Sequence, residues 1–138
     1  MKYAPTIAGI FLGLLFAMAS IVVLFNLVPP QPMQEGSPIA LYMGAMGPTG
    51  YLKFVKVFEL IGAILVAIPR TRNFGLLILG PILINILAFH TFITHGEGLS
   101  NPMLIIIVLL EAYLLWVGRK SFLGLLNSPE THSPTTQP

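Results

Sequence analysis

The chain has 138 residues, of which 55% are hydrophobic and 9% charged, with seven Lys and Arg against five Asp and Glu. A soluble domain carries roughly 25% charged residues to cover its surface, so this chain needs a solvent that tolerates apolar surface, and its net charge of +2 is too small and scattered for a nucleic-acid interface. The absence of cysteine excludes disulfides, thiol catalysis, thiolate-held iron–sulfur clusters and covalent c-type haem within the chain.

The first predicted element is a transmembrane helix over residues 7–28, which contains no charge. At 1.5 Å per residue it crosses a hydrocarbon core of about 30 Å. Lys2 ahead of it and Ala17-Met18-Ala19 within it imitate a secretion signal. The apolar run exceeds the roughly 7–15 residues of a signal core, so the helix is expected to be retained. Gly9, Gly13 and Ala17 form one smooth face where a second helix can approach closely, although small residues are also simply common in membrane helices. Pro29, Pro30 and Pro32 end the element. In the loop that follows, Ser37-Pro38 is a helix start, Ile39, Tyr42, Met43 and Met46 recur at helical spacing, and Gly47-Pro48 stops the pattern. A short interfacial helix is expected here, either as a lid or as ordinary interfacial packing.

The second span is expected over residues 49–68 and carries Lys53, Lys56 and Glu59. A tight basic turn at residues 69–73 leads to a third span over residues 74–94, with Gly80-Pro81 as a kink and with Asn85 and His90 inside. The short connection after it holds His95 and Glu97. Asn101 caps a fourth span over residues 102–118 that contains Glu111, and residues 121–126 extend it along the surface. The expected fold is therefore an all-α membrane protein of four transmembrane helices in an up-down-up-down bundle, with the short interfacial helix between the first and second. Residues 1–126 form its one domain, and the Pro/Thr/Ser-rich residues 127–138 read as a disordered cytoplasmic tail. Four spans place Lys2, Arg70, Arg72, Arg119 and Lys120 on one side, which the positive-inside rule makes cytoplasmic. Lys53 and Lys56 are exceptions at the outer end of the second span, where Lys53 has the reach to snorkel outward.

Counting along the spans puts Glu59, Asn85 and Glu111 near one depth, with Lys56 and His90 one to two turns nearer the outside and His95 and Glu97 at the outer rim. A charge at a helix centre costs about 2.5–3.5 kcal/mol on insertion scales, so these groups should face inward and pair. Lys56 and Glu59 are three residues apart on one helix face. A single network of Lys56, Glu59, Asn85, His90 and Glu111 is the economical arrangement, with one carboxyl neutral. Asn85 alone fits helix glue, and His90 alone fits either a satisfied core histidine or a hydrogen-bonding partner of a quinone. His90 and His95 lie about 140° apart around a helix, too far for a shared metal, and no metal site is expected. No phosphate loop or nucleophile elbow is present.

The residues from Tyr42 to Met46 and Thr49 to Leu52, then Lys53, Lys56, Glu59 and Gly62, and the stretches Arg72-Asn73-Phe74-Gly75 and Pro81 to His90 resemble the DoxX family of small bacterial membrane proteins. The resemblance covers roughly residues 7–120 and matches at Gly50, Lys56, Glu59, Asn85 and His90. It implies a four-helix fold in the bacterial inner membrane and links to quinone-dependent redox or oxidative-stress complexes. Without cysteine, a sulfur-transfer role is not assigned. The leading expectation is a module that binds a quinone or similar lipophilic molecule through Lys56, Glu59, Asn85, His90 and Glu111, with a partner protein supplying or accepting electrons. Lys53, His95 and Glu97 are secondary candidates. The alternatives are a structural or assembly subunit whose polar network fixes helix packing, and a small oligomeric transporter. A lipid-modifying enzyme ranks below them.

Overall fold

The computed structural model describes residues 2–127, and among them every regular element is helical. α1 (Ala4–Leu24) stops four residues short of the expected end. Asn26 adopts φ +50°, Leu27 N–H bonds to the Val22 carbonyl at 2.9 Å, and Asn26 N–H bonds to that of Val23 at 3.3 Å. This is a Schellman closure with asparagine at the left-handed position, and it ends the helix before the prolines.

α2 (Pro38–Met46) is the expected short helix, and Ser37 Oγ accepts the Ala40 N–H at 3.3 Å as its cap. α3 (Tyr51–Ala67) follows Gly50, whose φ is +77°. It ends at Ile68, which is extended at ψ 120° because Pro69 follows. α4 (Arg72–Ala88) runs through Pro81 and continues as a π-helical turn, Phe89–Ile93. Proline has no N–H, so the Leu77 carbonyl one turn earlier loses its partner within the helix. The π turn was not foreseen. α5 (Pro102–Leu126) is capped by Asn101 Oδ1, which accepts the Met103 N–H at 2.9 Å. Residues 121–126 continue α5 without a break. Beyond Asn127, the polar tail expected from the sequence lies outside the described residues.

Three helical stretches are long and apolar enough to cross a membrane: α1, Arg72–Ile93 and α5. The expected second span is not among them. Its helix, α3, has 17 residues, about 25 Å of rise, and contains Lys53, Lys56 and Glu59.

Neighbouring helices pack antiparallel. A Cβ at Gly9 would lie 2.7 Å from the Val66 carbonyl oxygen, and one at Gly13 2.5 Å from that of Ala63. The α1 and α3 backbones therefore touch along the small-residue face of α1, and no side chain fits at Gly13. Gly62 abuts Leu79, and Gly75 abuts Val66, which joins α3 to α4. Gly80 faces Glu111 and Asn73 faces Gly118, which joins α4 to α5. Lys2, Arg70, Arg72, Arg119 and Lys120 consequently gather at one end of the helices. Phe16, Leu12, Val66, Leu76, Leu79 and Leu114 fill the centre. Ile7, Leu14, Phe54, Phe74, Ile84, Leu109 and Trp116 point outward. An apolar exterior around self-satisfied helices fits a membrane protein.

Candidate functional site

Toward the end of the helices opposite the basic residues lie Ser20, Lys56, Glu59, Asn85 and His90. On α3, Lys56 Nζ donates to both carboxylate oxygens of Glu59, at 2.8 and 3.0 Å. From α1, Ser20 Oγ donates to Glu59 Oε1 at 2.9 Å. Glu59 is 1% exposed and the Lys56 side chain 21%. A buried carboxylate is tolerated when a cation and further donors satisfy it, and Glu59 has both.

The pair borders a cavity of about 350 Å³ between α1, α3, α4 and α5. Its walls are mainly apolar: Phe16, Ile82, Ile86, Phe89, Leu104 and Ile107, with Tyr42 and Met43 of α2 at one side. Lys56, Glu59, Asn85, His90 and Asn101 contribute the polar lining. An apolar pocket of this size with a few converging polar groups is the usual form of a small-molecule site. The Tyr42 and Phe89 rings meet at 5.0 Å, inclined by 57°, which ties α2 to the π turn.

His90 is held by the loop that follows it. Its Nδ1 lies 2.9 Å from the Glu97 backbone carbonyl oxygen, and Thr94 Oγ1 lies 2.6 Å from the same oxygen. His95 at φ +52°, Gly96 at +91° and Gly98 at +89° turn the chain back over the ring. Gly98 is required twice over: its φ disfavours a side chain, and a Cβ there would lie 2.7 Å from the imidazole.

The five residues expected to form one network separate into four groups. Lys56 and Glu59 pair with Ser20. His90 turns to the Glu97 carbonyl. Asn85 lines the cavity and makes no side-chain hydrogen bond among the described residues. Glu111 is 2% exposed, and neither carboxyl oxygen has a hydrogen-bond partner among them. Of the three groups expected at a common depth, Glu59 and Glu111 are nearly level, since Gly62 packs on Leu79 and Gly75 on Val66, and Asn85 lies nearer the outer end. Glu111 lies against Gly80, five residues from Asn85 along α4, or about 7.5 Å of rise. Lys53 and His95 are exposed, and Glu97 contributes its backbone rather than its carboxylate. Among the described residues no three His, Asp or Glu side chains converge as a metal site.

Sequence reasoning missed Ser20, Phe16, Thr94 and Gly98. Ser20 carried a signal: it is the lone hydroxyl of its span and lies eleven residues after Gly9, three helical turns along the same face. Thr94 and Gly98 act through loop geometry that residue spacing does not encode.

Over 75 residues the chain is 32% identical to the uncharacterized protein YwoB of Bacillus subtilis (strain 168). The aligned stretch is 54% of this chain and 47% of YwoB, so the match spans about half the length of that relative. No protein-family model matches the chain, and the DoxX resemblance rests on the motifs alone. No solved structure matches it.

Proposed function

We propose that the chain is a DoxX-like protein of the bacterial inner membrane that binds a quinone or similar lipophilic small molecule in the cavity beside Lys56 and His90. In this reading α3 is the remaining span, giving four helices in up-down-up-down order with both termini cytoplasmic. Its 17 residues suffice because Lys53 lies in the first turn and reaches toward the interface, while the charge of Lys56 is balanced by Glu59. The observation that carries the reading is the cavity itself: apolar walls that open beside a lysine held by a buried carboxylate. The chain supplies no cysteine to hold a redox centre, so a partner protein supplies or accepts electrons.

The test is binding of short-tailed ubiquinone or menaquinone analogues, in oxidised and reduced form, to the purified protein. Lys56→Ala is expected to weaken binding of both forms about tenfold, and His90→Ala that of the reduced form, the worth of one good polar contact. Absence of binding in both redox forms overturns the proposal.

A second reading is supported by the Ser20–Glu59 bond, which locks α1 to α3 at a single register. The polar trio then serves packing alone, in a structural or assembly subunit. That reading requires Lys56→Ala to lower stability while the folded fraction of the variant binds quinone analogues as the parent does.

A further inference from the structure

The polar groups around the cavity have hydrogen-bonding capacity left over, and for His90 and Lys56 its sense is fixed. His90 Nδ1 lies 2.9 Å from the Glu97 backbone carbonyl oxygen. A carbonyl oxygen only accepts, so the proton of the neutral ring sits on Nδ1 and Nε2 is a bare acceptor. Thr94 Oγ1, 3.5 Å from Nδ1, lies 2.6 Å from the Glu97 carbonyl oxygen and 2.9 Å from that of His90, so its proton goes to the backbone and leaves this assignment intact. Lys56 spends two of its three N–H groups on Glu59, leaving one donor. Its charge is already balanced by that carboxylate at 2.8 Å, so the pair offers no net charge to an anionic head group. Asn85 adds an amide with both senses. Phe16, Tyr42 and Phe89 supply flat apolar surface beside these groups.

Resting on the cavity reading above, we infer that the head group it selects is neutral, aromatic and hydroxyl-bearing, a phenol or hydroquinone rather than a quinone or a fatty acid. The hydroxyl donates to His90 Nε2. An oxygen of the same ring accepts from the free N–H of Lys56. A quinone has only acceptors, so it leaves the imidazole nitrogen unmatched in an apolar surrounding. A site built around a hydroxyl rejects the analogue that lacks it more strongly than an apolar pocket rejects a missing methylene.

The experiment compares four probes on the purified full-length chain under anaerobic conditions: decylhydroquinone, decylbenzoquinone, the dimethyl ether of the hydroquinone, and decanoate. The hydroquinone is expected to bind about tenfold tighter than each of the others. His90→Phe is expected to bring the hydroquinone down to the affinity of the quinone while leaving the quinone unchanged. A quinone, ether or decanoate that binds as tightly as the hydroquinone overturns this inference and leaves the cavity reading standing. Failure of all four to bind overturns both. Should His90→Phe not fold, the ¹⁵N shifts of the imidazole in the parent protein decide the matter: a proton on Nδ1 is expected, and a proton on Nε2 overturns the inference.

Discussion

Two buried glutamates in one small bundle have opposite surroundings. Glu59 receives Lys56 and Ser20, whereas Glu111 receives no partner among the described residues. The pairing of Glu59 makes a sharp prediction about Lys56. Lys56→Met strands a carboxylate in low dielectric and is expected to lower stability by about 3 kcal/mol, near the bottom of the range for broken buried pairs because Lys56 is 21% exposed. The double variant Lys56→Met/Glu59→Met removes both charges and is expected to recover most of that loss. Unfolding in detergent, read as a double-mutant cycle, checks both numbers. A double variant less stable than Lys56→Met would sink the desolvation account. Ser20 belongs to the same unit, since its hydroxyl ties the ion pair to α1.

Among the elements, α1 and α3 form the most extensive contact, and a backbone carbonyl of α3 occupies the place where a side chain at Gly13 would project. Gly13→Ala is expected to destabilise by about 1–3 kcal/mol, as the helices must separate to admit the methyl group. Gly124, on α5, has no atom within 4 Å of its would-be Cβ. Gly124→Ala is expected to be neutral or to stabilise by roughly 0.5–1 kcal/mol through helix propensity. Thermal unfolding of the two variants side by side separates close approach from propensity, and equal effects would refute the distinction. The π turn at Phe89–Ile93 has its own consequence. It carries His90 into the cavity lining, and the loop through Gly98 then fixes the ring.

For the whole molecule, the proposed topology requires α3 to cross the membrane with α1, α4 and α5. The chain has no cysteine, so single cysteines report cleanly. Four spans require Glu35→Cys and Glu97→Cys to react with an impermeant maleimide on intact cells, and Arg70→Cys and Lys120→Cys to react only after permeabilisation. Three spans would instead put residues 35 and 70 on the same side, and that labelling pattern refutes the four-span topology. Trp116 and Arg119 stack at 4.4 Å near the basic end, an arrangement suited to the membrane–water boundary.

Composition and local chemistry were enough to read the helices, the short α2 and its Ser37 cap, the Asn101 cap and the Lys56–Glu59 pair. Each depends on residues within one or two turns of one another. The end of α1 is also written locally, in Asn26 rather than in the prolines that follow it. The rest depended on contacts between distant segments. Ser20 meets Glu59 across 39 positions, and Glu111 meets Gly80 rather than Asn85. His90 turns away from the expected network because a left-handed loop brings a carbonyl to its Nδ1. Which polar groups the bundle would contain was legible from one-dimensional order. Which would touch, and which sense of hydrogen bond each would keep for a ligand, was decided by helix rotation and backbone approach, quantities that exist only once the helices are packed.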